Sequence, residues 1–343
     1  MITISAPYRL YLIGEHASVY GKPALLLATQ YRLTLKLTKS KNIGYVDHRF
    51  GLTNSWPIRE IRKSTTKVLS LWNSCAERGD FSELNSFIRK DDFLFYRKSV
   101  IGIVLINLNL NSGVTVQIET DLPFGSGLAS SAALAVSLTK GLAELHDLKP
   151  SSNNINRIAF EIEKIIHCTP SGGDNSVCCF GGLLWFQKLN HKNQIVQLKD
   201  DIPKEFNIFV LVYTKPPEKT TGELVQLVRN LDKKYREARI NRIGELVYEM
   251  RIILKSHNFK RMVDILNEDQ KLLSELGVSC KEINEIADAV KKIGGAAKIS
   301  GAGGGGAMVC FHENKQRLIQ TIESLGYKYW NLKVSSEGVR IEK

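Results

Sequence analysis

Residues 121–142, DLPFGSGLASSAALAVSLTKGL, decide how the rest of the chain is read. They follow residues 114–119, VTVQIE, whose alternating apolar side chains predict a strand. They lead into Leu128, Ala132, Ala135, Leu138 and Leu142, which fall at helical spacing. A strand, a glycine turn and a helix opening with Ser130 and Ser131 make a site for an anion. The free backbone N–H groups and the positive end of the helix dipole point at whatever occupies the turn. Gly125 and Gly127 carry no Cβ, so a phosphate chain could approach the backbone closely. The same residues also read as an ordinary capped strand-to-helix turn. They match neither the Walker A loop nor the dinucleotide GxGxxG pattern.

Upstream, residues 9–16 (RLYLIGEH) read as a strand ending at Gly14 and delivering Glu15 and His16 into a turn. Residues 31–38 alternate as a half-exposed strand, 39–59 read as irregular, and 60–99 as mainly helical. Downstream, Ile155, Ile158, Ala159, Ile162, Ile165 and Ile166 form an amphipathic stripe with Glu163 at its flank. A carboxylate at the edge of a buried face can be partly desolvated and still reach a site. The segment HCTPSGGDN (167–175) follows, with Asp174 read either as a turn residue or as a functional carboxylate. A strand is expected over 206–213 and helices over 223–276 with a break near His257 and Asn258. Two strands should bracket Gly301, Ala302, Gly303, Gly304, Gly305 and Gly306. A hairpin needs two glycines, not five in six positions, and the entropy of such a run is explained by close approach of backbone to a ligand.

The chain of 343 residues is long enough for one large or two medium domains, and a division is expected between residues 187 and 205. The net charge of +12 raises three classes of partner: nucleic acid, an acidic membrane surface or an anionic small substrate. The basic residues are spread, with clusters such as Lys233, Lys234 and Arg236 in solvated helical contexts. No nucleic-acid partner is therefore expected. Six cysteines without a CxxC pair or a secretory signal read as reduced thiols of a cytoplasmic protein. No apolar run approaches the ~18 residues that span a membrane.

Taken together, three segments change the reading. APYRLYLIGEHASVYGKPAL (6–25), PFGSGLASSAA (123–133) and KISGAGGGG (298–306) resemble the three motifs of the GHMP family of small-molecule kinases, and the segment around Asp174 is similar to that family's active-site segment. The resemblance implies an α+β, two-domain fold: an N-terminal ribosomal-protein-S5-like, ATP-binding domain (1–190) and a C-terminal ferredoxin-like domain (191–343), with the active site in the cleft between them. It implies ATP and Mg²⁺ as cofactors. Pro123, Gly125, Ser126, Gly127, Leu128, Ala129, Ser130 and Ser131 would cradle the phosphates. Ser131, or Ser130, and Glu163 would hold Mg²⁺. Asp174 would be the catalytic carboxylate with Arg9 beside it, and Glu15, His16, Gly301, Ala302, Gly303 and Gly304 would face the acceptor.

GEHASVYGKPAL implies mevalonate as the acceptor, phosphorylated on its primary hydroxyl in isoprenoid synthesis. A sugar or phosphomevalonate is the alternative, and a homodimer is compatible with the family. Two positions depart from the family pattern. Arg9 stands after Tyr8 where a Gly-Lys pair is common, and guanidinium is a bulkier, permanently charged fork. Ala129 stands where Gly is frequent, and a Cβ is expected to be tolerated there inside the helix start. A non-catalytic sensor that keeps the fold is the competing class; it has no need of Ser130, Ser131, Glu163 and Asp174 together.

Overall fold

The computed structural model describes residues 1–120, 122, 127–189, 193–198, 209–256 and 258–342. The chain opens with β1 (Ile2–Ile13) and β2 (Pro23–Ser40), a long antiparallel hairpin buried on both faces over residues 4–13 and 23–29, while the rest of β2 alternates in burial and ends exposed. Next come β3 (Ile43–Asp47) and β4 (Leu52–Trp56), then the helical hairpin α1 (Ile58–Arg78) and α2 (Ser82–Asn107). The expectation of an irregular stretch over 39–59 is thus corrected. Ile43, Tyr45 and Asp47 alternate inward, a period-2 signal only five residues long, and β3 pairs in parallel with a strand contributed from far downstream.

That strand is β5 (Gly113–Thr120), followed by α3 (Ser130–Leu145), α4 (Ser152–His167), α5 (Gly173–Phe180), β6 (Leu183–Lys188) and β7 (Asn193–Gln197). After it come β8 (Val210–Tyr213), α6 (Thr221–Arg229), α7 (Lys233–Ser256), α8 (Phe259–Glu275), α9 (Lys281–Lys292), β9 (Ala296–Ile299), β10 (Ala307–Phe311), α10 (Lys315–Ser324), β11 (Lys328–Asn331) and β12 (Arg340–Ile341). The strand expected over 206–213 begins at Val210 among the described residues. The helix break expected near residue 257 is present, with the Asn258 side chain accepting from the Arg261 N–H at 3.0 Å to cap α8.

Two sheets result, as an α+β fold requires. The first has the order β12-β1-β2-β5-β3-β4, with β6 also pairing β2 and β7 pairing β6. The second is antiparallel, in the order β11-β8-β10-β9. β12 brings the chain back to β1, so the last strand belongs to the first sheet. Helix α3 lies across β1 and β2. A Cβ at Gly141 would fall 2.3 Å from Leu37 Cδ1, so this glycine sets how closely the helix approaches the sheet.

Candidate active site

β1 has β12 beside it only at Ile4 and Ser5, which leaves backbone donors further along its edge free for other partners. The Arg9 N–H donates to the Leu128 carbonyl at 3.0 Å and the Tyr11 N–H to Ser300 Oγ at 2.9 Å. These two bonds seat the turn before α3 and the turn after β9 side by side on one strand. The first and third sequence motifs and the start of α3 therefore converge there.

Arg9 is buried, and its guanidinium grips Asp174 with both edges: Nε donates to Oδ1 at 2.9 Å and Nη2 to Oδ2 at 2.7 Å. Burial disfavours the Arg9 cation, but attraction to Asp174 and the paired hydrogen bonds outweigh it and hold the guanidinium charged. Asp174 sits in the first turn of α5, where the helix dipole favours a carboxylate, and its side chain keeps 27% exposure. Gly172 caps that helix at φ 92°, and a Cβ there would meet Asn193 Nδ2 at 2.7 Å.

The second carboxylate lies at the start of α3. Ser131 Oγ donates to Glu163 Oε2 at 3.2 Å, and His167 Nε2 lies 3.2 Å from the same hydroxyl and 3.6 Å from Oε2. Glu163 is 1% exposed and its Oε1 has no hydrogen-bond partner. Burial, with the Asp174 charge adding to it, pushes the Glu163 carboxyl up to about 8 against the opposing pull of Ser131 and Arg9. Burial lowers the His167 pKa, with Asp174 opposing the shift and Arg9 adding to it. His167 was not singled out from sequence. The available signal was its place one helical turn after Glu163 on the same face of α4.

Ala129 precedes α3 at φ 62° and ψ 47°, and no side chain caps the helix. The expectation that its Cβ lies inside the helix start is therefore corrected: it occupies a left-handed cap, which L-residues adopt at a cost. The expected phosphate residues Pro123, Gly125 and Ser126 lie outside the described residues. Gly127, Leu128, Ala129, Ser130 and Ser131 are described, and Ser130 and Ser131 open α3.

On the other flank, Glu15 and His16 are engaged within the protein. Glu15 Oε1 accepts from Lys298 Nζ at 2.5 Å, and Lys298 also approaches Asp269 Oδ2 at 3.3 Å and donates to the Ile299 carbonyl at 2.6 Å. All three charged side chains are fully buried. Neither Lys298 nor Asp269 was singled out from sequence. Burial raises Asp269 to about 7, with Glu15 adding to the effect and Lys298 opposing it. His16 Nε2 lies 2.9 Å from the Ala302 carbonyl, and burial lowers its pKa. The glycine run connects the antiparallel pair β9 and β10, so it is a hairpin as well as a close-approach loop. A Cβ on Gly301 would sit 3.1 Å from the Gly127 carbonyl and 3.8 Å from Arg9 Nη1, at the heart of the site. A Cβ on Gly303 would instead strike the Val278 carbonyl at 2.1 Å, so packing within the protein accounts for that glycine.

The chain as a whole has counterparts. Residues 96–182 match the family description "GHMP kinases N terminal domain", and residues 250–331 match "GHMP kinases C terminal". The mevalonate kinase of Thermococcus sibiricus is 31% identical, covering 99% of this chain and 98% of its own. That of Pyrococcus abyssi is 30% identical, covering 100% and 98%. The crystal structure of Methanococcus jannaschii mevalonate kinase superposes with a TM-score of 0.77 at 23% identity, covering 97% of this chain and 98% of that one. A full-length relation of that strength, on a two-sheet fold that gathers the expected motif residues around Arg9 and Asp174, places the chain in the GHMP kinase family.

Proposed function

We propose that this kinase transfers the γ-phosphoryl group of ATP to the 5-hydroxyl of (R)-mevalonate, giving 5-phosphomevalonate. The observation that carries the reading is the two-edged Arg9–Asp174 pair, partly open to solvent where the three motifs converge. Asp174 accepts the proton of the attacking hydroxyl, because each oxygen held by Arg9 retains a lone pair for a second donor. Arg9 fixes the carboxylate plane and offsets the charge that gathers as the phosphoryl group moves. The N–H groups at the start of α3, free of any side-chain cap, bind phosphate oxygens, and Gly127 lets the backbone approach them.

Ser131 and Glu163 are the residues that would hold Mg²⁺. They fit a hard cation, since Glu163 Oε1 is buried without a donor and Ser131 Oγ lies against the other oxygen. Bound there, Mg²⁺ supplies charge neutralisation on the phosphates. Glu15 and His16 support the acceptor side by holding the glycine loop, with Gly301, Ala302, Gly303 and Gly304 forming its wall. We assign residues 1–190 to a nucleotide-binding unit and 191–343 to a second unit that lends β7 and β12 to the first sheet. We also place the protein in the cytoplasm; among the described residues no helix is long and apolar enough to cross a membrane.

The acceptor reading draws support from GEHASVYGKPAL and from full-length relatives named mevalonate kinase. Arg9 favours a sugar, as in galactokinase-type members. An ADP-release assay over a panel of mevalonate, phosphomevalonate and sugars decides between them. Turnover is expected with mevalonate alone, and turnover with galactose but not mevalonate removes the acceptor assignment. Asp174→Asn is expected to lower kcat about 10²–10⁴-fold while nucleotide binding persists.

A further inference from the structure

The Arg9 guanidinium has a third neighbour besides Asp174 and the Gly127 carbonyl. Its Cζ lies 4.6 Å from the centre of the Tyr11 ring. Residues 9 and 11 project from the same face of β1. On that face Tyr11 packs with Leu26, Val177 and Phe186 in a small apolar cluster separate from the main core. Its backbone N–H is held by Ser300 Oγ and its hydroxyl lies 3.3 Å from Ser18 Oγ. The ring is thus fixed from both ends, and it lies against a guanidinium whose edges belong to Asp174.

We propose that Tyr11 is a positioning residue for phosphoryl transfer: its ring holds the Arg9 guanidinium in the plane that grips both oxygens of Asp174. This rests on the reading of Arg9 and Asp174 as the reacting pair and adds to it the reason that arginine functions at this position. A planar, delocalised cation stacks on an aromatic face while its edges stay free to fork, which an ammonium cannot do. Arginine on a long flexible stem would otherwise sample many rotamers, and each departure from the Asp174 plane removes the aligned base. The Tyr11 hydroxyl, raised to about 12 chiefly by burial, stays protonated and takes no proton in the reaction. The ring, not the hydroxyl, is the working part.

The test is a double-mutant cycle on the full chain, read as kcat and KM with mevalonate and MgATP. Tyr11→Leu is expected to lower kcat about 10-fold with KM for ATP moving less than about twofold. Tyr11→Phe retains most of the turnover. In an Arg9→Met background no cation remains for the ring to hold, so Tyr11→Leu then has almost no further effect on kcat. Losses that multiply across the cycle, or a Tyr11→Leu enzyme with undiminished kcat, overturn the proposal. Tyr11→Met, of similar bulk, is measured in parallel with thermal unfolding, and failure of both variants to fold assigns the ring a purely structural role. Full turnover in Arg9→Met and Asp174→Asn themselves defeats the functional reading instead, so the two failures are distinct.

Discussion

Along one edge of β1, the Arg9 N–H meets Leu128 and the start of α3, and two residues further on the Tyr11 N–H meets Ser300 and the glycine loop. The first flank contains groups that the protein does not complete: Glu163 Oε1 has no partner, α3 has no side-chain cap, and Ala129 takes a left-handed cap without being glycine. The second is sealed from solvent rather than satisfied, since Glu15 Oε2, His16 Nδ1 and both carboxylate oxygens of Asp269 are likewise buried without a hydrogen-bond partner. Lys298 holds Glu15, Asp269 and the Ile299 carbonyl; the loop positions at positive φ, Gly301, Gly303, Gly304, Gly305 and Gly306, are all glycine, although His16 on the same flank also takes φ 56°. What divides the flanks is access to solvent rather than completeness of hydrogen bonding. The same division separates the two charged pairs of the first motif. Arg9–Asp174 is reachable from solvent and can exchange partners in a reaction, while Glu15–Lys298–Asp269 is sealed.

The largest test of that contrast is Lys298→Met. It leaves Glu15 and Asp269 buried without a cation, and breaking a buried pair in this way costs about 3–5 kcal/mol. Denaturant unfolding is expected to show that loss, whereas Arg9→Met, whose partner Asp174 is partly exposed, should lose turnover with a much smaller change in stability. Equal losses of stability in the two variants would erase the distinction between a working pair and a structural one.

A smaller effect should appear with pH. Glu163 rises from 4.5 to about 8 and Asp269 from 3.8 to about 7, each because burial disfavours the charged form. For both, the folded chain keeps a proton that the unfolded chain releases. Their stabilising contribution is complete below the unfolded values and is lost as pH rises through the folded ones. The ligand-free protein should therefore lose stability steadily as pH rises from about 4 to about 8. Glu163→Gln and Asp269→Asn should each flatten that slope. Adding MgATP should flatten it only in the protein that retains Glu163, because a cation beside that carboxylate favours its charged form. An identical response to MgATP in the wild type and Glu163→Gln would put the metal elsewhere.

The three motifs were legible because each is local: a strand, a turn and a helix start that declare themselves within about a dozen residues. Glu163 was legible from its place on an apolar stripe, though not the completeness of its burial. Lys298 was hidden because a lysine in a short strand ordinarily faces water, and only the burial of all four residues of β9 forces it to find partners. One of them, Asp269, lies on α8, and no spacing rule connects the two. Tyr11 read only as a residue of the first strand. Its contact with Arg9 depends on where Asp174, 165 positions away from Arg9, pulls the guanidinium. The β3–β4 hairpin was missed because five-residue strands carry little periodicity.

The smallest predicted effect tests the incompleteness of the first flank at a single backbone position. Ala129 is left-handed directly after Leu128, whose carbonyl accepts the Arg9 N–H just before α3 begins, a tertiary contact that local sequence does not carry. An L-residue there costs about 1–2 kcal/mol, and glycine removes that strain while adding freedom to the unfolded chain. Ala129→Gly should therefore raise stability by about 1 kcal/mol or less, with turnover retained. Gly301→Ala should act in the opposite sense, since φ 118° is strained for alanine and its Cβ would lie 3.1 Å from the Gly127 carbonyl. Thermal unfolding of the two variants side by side reads both signs. Were Ala129→Gly to destabilise the fold, the methyl group's packing against the core would outweigh the backbone strain.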